Sequence, residues 1–285
     1  MSSGILTYNQ LTSDSFDYNA PRANQNGLGK NVGVFNKNSK SALNITTPQL
    51  RTYGISDYEG NQRYQLTFQF PEKGTDAKAD AFLENLKMFE AKIKADAVTH
   101  CKEWLGKAKM TPDVIDALWS PMLKYPKTDG ETDYSRPPTF NVKTPFYAND
   151  GRWDFEVYNT SNERLFPDPD SSLTPLDLMP KGSGNAGGLI RCGGIWFASG
   201  KFGVTWKLLQ AKIKPKTTIF GLCQIPMDED DIKAMENNDS SSEADVNETM
   251  VESDEDEDEH EPEPEPEPVK KKKVVRKKAS ASAEA

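Results

Sequence analysis

Residues 189–216 read LIRCGGIWFASGKFGVTWKLLQAKIKPK, and their pattern decides the fold. Two long strand patterns, Leu189 to Ala198 and Phe202 to Ile213, flank Ser199-Gly200-Lys201, a hairpin-sized turn containing glycine. Phe202, Val204, Trp206 and Leu208 fall on one face of the second run, the expected core face, while Lys212, Lys214 and Lys216 share a face that reads equally as solvated.

Further strand patterns lie on either side. From Gln62 to Phe70, Tyr64, Leu66, Phe68 and Phe70 alternate with Gln65, Thr67 and Gln69, which predicts one buried and one wet face. Short strands are expected at residues 32–35, 43–45, 50–53 and 140–143, at Trp153 to Tyr158 through Trp153, Phe155 and Val157, and at Ile219 to Ile225. Between them, Phe82, Leu86, Phe89, Ile93, Ala97, Cys101 and Leu105 recur at three- and four-residue spacing and predict a helix from Asp76 to Lys107. Thr111-Pro112 is an N-cap followed by proline and opens a shorter helix ending near Pro121. The expected fold is therefore mainly β, an antiparallel barrel or small sandwich with a helical insertion at about 76–123.

Charge divides the chain. Its net charge is −9, but residues 228–268 hold 20 acidic residues against the single Lys233, and residues 269–285 hold seven basic residues and Glu284. The body, 1–227, is left at +4. A basic body with an acidic tail suits a protein that binds a polyanion and screens its own surface. The tail is nearly free of aromatic and branched apolar residues, so both 228–268 and the Lys-rich 269–285 are expected to be disordered. Residues 1–30 read as a polar arm and residues 31–227 as the binding domain. Lys270, Lys271, Lys272, Lys273, Arg276, Lys277 and Lys278 resemble a nuclear localisation signal. No leader or spanning segment is read, so a soluble intracellular protein without membrane contact is expected.

Catalytic chemistry finds little support. The body's only histidine, His100, adjoins Cys101 in the long helix, and adjacent helical residues do not face each other. Gly182, Gly184 and Gly187 spell a G-x-G-x-x-G, but a Pro-rich loop precedes it and a strand follows, the wrong context for a phosphate cradle. Cys101, Cys192 and Cys223 are odd in number and widely spaced, so free buried thiols are expected rather than disulfides or zinc. No enzyme activity, metal or cofactor is expected.

Binding chemistry is better represented. Aromatic rings stack on unpaired bases while lysine and arginine track phosphates. Trp196, Phe197, Trp206, Trp153 and Tyr64 are the stacking candidates, and Arg191, Lys201, Lys207, Lys212, Lys214, Lys143 and Arg152 the phosphate candidates. The same aromatics also suit a core face.

Thr47-Pro48-Gln49-Leu50 leading to Tyr53-Gly54, the strand Tyr64 to Phe70, Trp104-Leu105-Gly106-Lys107, Leu118-Trp119-Ser120-Pro121 and Ile195-Trp196-Phe197-x-x-Gly200-Lys201-Phe202-Gly203-Val204-Thr205-Trp206-Lys207-x-x-Gln210 together carry a resemblance over almost the whole body. It resembles the OB-fold single-stranded DNA-binding proteins of large nucleo-cytoplasmic DNA viruses, of the algal virus and mimivirus type, distant relatives of the replication single-strand binders of T-odd phages. The resemblance implies an OB-like Greek-key barrel and sequence-independent single-stranded DNA binding in viral replication, recombination or repair. It also implies an acidic tail that competes with DNA for the groove and meets polymerase and helicase partners. A homodimer, and location in the host nucleus, a viral replication site or the virion, complete the expectations. This chain ends in Lys-rich sequence where the phage-type tail ends in acidic residues and an aromatic, which puts partner docking by the extreme C-terminus in doubt. The competing readings are an acidic-tailed histone or capsid chaperone and a virion DNA-packaging protein.

Overall fold

Inward-facing apolar residues on five strands build the core. The strands are Leu50–Asp57 (β1), Tyr64–Gln69 (β2), Thr139–Lys143 (β3), Asn185–Ala198 (β4) and Lys201–Ile213 (β5). β1 pairs antiparallel with β2, β2 antiparallel with β3, β3 parallel with β5, β5 antiparallel with β4, and β4 antiparallel with β1. The ring order 1-2-3-5-4-1 is that of an OB Greek-key barrel. Leu66, Phe68, Phe140, Val142, Ile190 and Leu208 fill its interior with no exposed area. The computed structural model describes residues 4–24, 29–57, 60–182, 184–215 and 225–238.

The β4–β5 hairpin turns on two residues. Ala198 opposes Lys201, and Ser199 and Gly200 take φ of 51° and 73°, the left-handed pair of a type I′ turn. Two bulges then interrupt the ladder. Cys192 faces Trp206 whereas Ile195 faces Val204, so β4 carries an extra residue at Gly193-Gly194. Ile190 faces Leu208 whereas Leu189 faces Gln210, so β5 carries an extra residue at Leu209. Each bulge moves all following side chains to the opposite face. Gly194 sits at φ 91°, and a Cβ there would lie 2.6 Å from the Val32 carbonyl oxygen.

The helical insertion lies between β2 and β3. Asp76 caps Ala77–Thr99 (α1) by accepting from the Lys78 and Ala79 amides. Phe82, Leu86, Phe89 and Ile93 form its buried stripe, with Phe82 against Phe140 at 6.1 Å and Phe89 against Trp206 at 5.4 Å. The expected single helix to Lys107 breaks at His100, and Cys101–Leu105 (α2) follows, ending on left-handed Gly106. The break lets Trp104 meet Tyr18 at 4.9 Å and Phe197 at 6.1 Å. Pro112–Leu118 (α3) completes the insertion as expected.

Two expectations need correction. The polar arm is part of the fold: Leu11 and Phe16 are buried, Phe16 packs on Phe89 at 4.7 Å, and residues 16–18 pair with 34–36. Tyr18 donates its hydroxyl to Asp96, and burial pushes that phenol well above its usual pKa. Each apolar residue of the arm fills one gap in a larger core, so no periodicity announces it. The chain divides into two units, residues 1–221 and 222–285. In the second, Glu229–Asn238 is helical where disorder was expected. Asp228 accepts from the amides of Asp230 and Asp231, and Glu229, Asp230 and Asp231 favour the positive end of the helix dipole. The strand expected at 219–225, apart from Ile225, and the remainder of the tail lie outside the described residues.

Candidate nucleic-acid interface

The outer face of β4 and β5 is a smooth floor with cations along it. Because of the Gly193-Gly194 bulge, β4 presents Gly187, Leu189, Arg191, Gly193, Trp196 and Ala198 outward. Because of the Leu209 bulge, β5 presents Lys201, Gly203, Thr205 and Lys207 outward and, beyond it, Gln210 and Lys212. Without that bulge, strict alternation would place Lys207 and Lys212 on opposite faces. Gly187 has nothing within 4 Å of where a Cβ would stand, so backbone lies open beside Lys212.

Cross-strand register gathers three cations at the centre of this face. Lys143 on β3 opposes Lys207 on β5, and Lys207 opposes Arg191 on β4. Adjacent strands lie ~4.8 Å apart, so the row spans about 10 Å. All three residues are exposed, and among the described residues none is ion-paired; Arg191 donates from Nε to Asn44 Oδ1 at 2.9 Å. Although the Lys143 side chain as a whole is exposed, neighbouring groups crowd water from its ammonium; that desolvation, then repulsion from Lys207 and Arg63, holds it below the usual lysine value. Arg63 joins the row through the turn before β2, where Asp57 accepts from the Gln62 and Arg63 amides at 3.1 Å each. Directly opposed like charges destabilise a sheet, so a row of them without carboxylates is a place for an anion. Arg63 escaped the sequence reading, although it lies next to the stacking candidate Tyr64 in the chain.

The structure sorts the proposed stacking residues. Trp196 is half-buried and lies over Gly203, where a Cβ would come within 3.0 Å of its Cζ2. It is therefore held flat on the same face as the cationic row. Trp206 and Phe197 are corrections. Trp206 is 1 % exposed, wedged between Phe89 and Phe140, with its indole N–H unpaired. Phe197 is buried, stacked on Phe202 at 5.5 Å, because the Gly193-Gly194 bulge turns it inward and Trp196 outward. Trp153 and Tyr64 are half-buried and pack on each other at 4.6 Å, with Phe146 completing a cluster at the Tyr64 end of β2.

The remaining phosphate candidates separate likewise. Lys212 and Lys214 are exposed at the far end of β5, Lys212 donating to Asn162 Oδ1. Lys201 is exposed at the hairpin tip. Arg152 lies 4.8 Å over the Tyr147 ring and 3.7 Å from Asp154, so a carboxylate already faces it. Lys270, Lys271, Lys272, Lys273, Arg276, Lys277 and Lys278 lie outside the described residues.

Cys101 and Cys192 are buried, and burial pushes the Cys192 thiol up to about 12. Cys223 lies outside the described residues. Among the described residues no group of three or more His, Cys, Asp or Glu is placed to hold a metal ion, and no helix is long and apolar enough to cross a membrane.

No protein-family model matches the chain, and no curated protein matches it. Among solved structures, it is similar to the single-stranded DNA-binding protein from bacteriophage Enc34, at 15% identity over 74% of this chain and 96% of that one, with a TM-score of 0.37. The same phage protein in complex with single-stranded DNA gives 15% identity, 71% and 98% coverage and 0.37. The gp2.5 single-stranded DNA-binding protein of bacteriophage T7 gives 13% identity, 65% and 98% coverage and 0.38.

Proposed function

We propose that the body binds single-stranded DNA along the outer face of β4 and β5. The observation that carries this reading is the row Lys143–Lys207–Arg191, in register across three strands and without an ion pair among the described residues. Phosphates lie on the row and run on toward Lys212 and Lys214. Trp196 stacks one base, and the Tyr64–Trp153 cluster offers a second apolar surface. Capture of this kind uses charge and ring faces that every nucleotide has, so it needs no particular sequence.

The acidic segment 228–268 competes with DNA for the same cations, and its displacement couples strand binding to the recruitment of replication partners such as polymerase and helicase. The protein acts in viral replication, recombination or repair, and residues 270–278 direct it to the host nucleus.

Fluorescence anisotropy with labelled oligo-dT and duplex competitor, at two salt concentrations, tests the reading. Tight, salt-sensitive binding that resists duplex is expected, and removing residues 228–285 should tighten it. Absence of single-strand binding would sink the proposal. Weaker binding after tail removal would move the DNA contact to the Lys-rich end.

A further inference from the structure

The outer face of β2 and β3 differs from that of β4 and β5. Outward residues are Gln65, Thr67 and Gln69 on β2, and Thr139, Asn141 and Lys143 on β3. They oppose one another directly as Gln65–Lys143, Thr67–Asn141 and Gln69–Thr139. No aromatic and no carboxylate stands among them. Successive rows are about 6.7 Å apart along the strands, and the first row contains Lys143 of the cationic row.

Among the described residues most of these polar groups are unused. Thr139 donates to the Lys124 carbonyl oxygen at 3.3 Å. Among the described residues the side chains of Gln65, Thr67, Gln69 and Asn141 take no hydrogen bond. Asn141 Oδ1 is shut off from solvent and still has no partner. Turning that amide toward a ligand therefore breaks no bond, and it relieves a group that is costly to leave unsatisfied.

A primary amide offers one donor and one acceptor side by side. That pair matches the edge of an unstacked base and distinguishes between bases, unlike a ring face or a lysine. Two amides, Gln65 and Asn141, and the Thr67 hydroxyl sit within one row of Lys143. A strand whose phosphates lie on Lys143 and Lys207 would bring base edges over them.

We infer that Gln65, Thr67 and Asn141 read base edges, so that the protein discriminates between bases on top of the sequence-blind affinity of the cationic row. This inference rests on the proposed single-strand binding and refines it.

The test uses the full chain with oligo-dA, oligo-dC and oligo-dT of equal length, each over a salt series. Affinities should spread by at least about fivefold, the low end of what a well-placed base contact supplies. In Gln65→Ala/Asn141→Ala the spread should collapse to within about twofold while the salt dependence stays. Trp196→Ala should weaken all three oligomers and keep the spread. If the alanine pair does not fold by circular dichroism, Gln65→Ser/Asn141→Ser replaces it. A wild-type spread under about twofold, or a spread that survives loss of both amides, overturns the inference and leaves single-strand binding standing. Failure to bind any oligomer overturns both.

Discussion

Replacing Lys207 with glutamine should weaken DNA binding and stabilise the fold. Lys207 stands between Lys143 and Arg191 in directly opposed positions, with no carboxylate on any of the three. Its stem passes Gly193, with Cε 3.7 Å from where a Cβ would stand, and glutamine keeps most of that contact. Five cations make up the proposed phosphate track: Arg191, Lys207, Lys143, Lys212 and Lys214. At ~0.7 counterions released per phosphate contact on a single strand, they give a salt slope of about −3.5. Affinity should then fall about 100-fold between 50 and 200 mM salt. Lys207→Gln reduces the slope to about −2.8, the fall to about 50-fold, and the affinity at 0.15 M roughly fourfold. Relief of two solvent-screened like-charge pairs adds up to ~1 kcal/mol of stability, seen as a rise of at most about 2–4 °C in Tm. Anisotropy over a salt series and a thermal melt measure both. A slope equal to wild type, or a lowered Tm, would refute the claim that this row waits for phosphate.

Trp196→Ala should weaken binding by ~1–3 kcal/mol, the worth of one stacked base, and leave the melting curve nearly unchanged. Trp206→Phe should do the reverse, keeping DNA affinity with a small loss of Tm, because the indole N–H it removes is unpaired. Gly194→Ala should destabilise by at least ~1–3 kcal/mol, since its φ of 91° is strained for any other residue and its Cβ would meet the Val32 carbonyl oxygen and Asn31 Oδ1 at 2.6 Å each; urea unfolding reads this directly. The depressed Lys143 pKa sets a pH dependence below the ordinary 10.5. There the unfolded chain keeps a proton the folded one has lost, so stability rises with pH through that window. DNA restores the proton, so affinity falls as pH rises through the same window. Titrations of wild type and Lys143→Arg should differ there, the arginine variant staying flat.

The elements were more legible than the faces they present. Strand patterns at residues 64–70 and 202–213, and the stripe from Phe82 to Ala97, are strong because each residue repeats the period of its own element. The two bulges are local exceptions to that period. Nothing in the residues surrounding Gly193-Gly194 says which of Trp196 and Phe197 goes inward, because both rings suit a core. The register to residues 30–32 settles it: a third chain segment approaches Gly194 so closely that only a glycine bulge fits, and the parity shift follows. Leu209 leaves only a faint trace: strict alternation would put it beside Lys207 on the polar face, and the adjacent pair Leu208-Leu209 marks a break without saying which of the two is extra. The N-terminal segment failed for a different reason. Phe16 docks on Phe89 of α1 and Tyr18 on Trp104 of α2, while Leu11 is buried alone between polar neighbours, and contacts between distant elements leave no local spacing.

The same two irregularities explain how one hairpin serves both core and surface. A regular hairpin would carry its apolar residues on one face from end to end and its lysines on the other. β4 and β5 instead seal the barrel with Ile190, Trp206 and Leu208, and Phe197 and Phe202 seal the hairpin beyond it. Trp196, Arg191, Lys207 and Lys212 still share one open surface. The extra residue in β4 releases Trp196 from the core, and the extra residue in β5 returns Lys212 to the side of Lys207. Restoring regular alternation would therefore bury Trp196 and split the lysines between faces. Deleting Leu209 makes the case measurable: it takes out the extra residue itself, so Lys207 and Lys212 stand four apart and a regular ladder keeps both outward, with Gln210 still opposite Leu189. DNA affinity and salt slope should then stay near wild type. Inserting an alanine after Gln210 instead turns Lys212 inward or shears the ladder beyond it. Affinity should then fall by the share of Lys212 and Lys214, about 1.4 of the salt slope, while the row at Lys207 goes on binding. A deletion that loses that share, or an insertion that keeps it, would mean that the face Lys212 takes does not matter to the track.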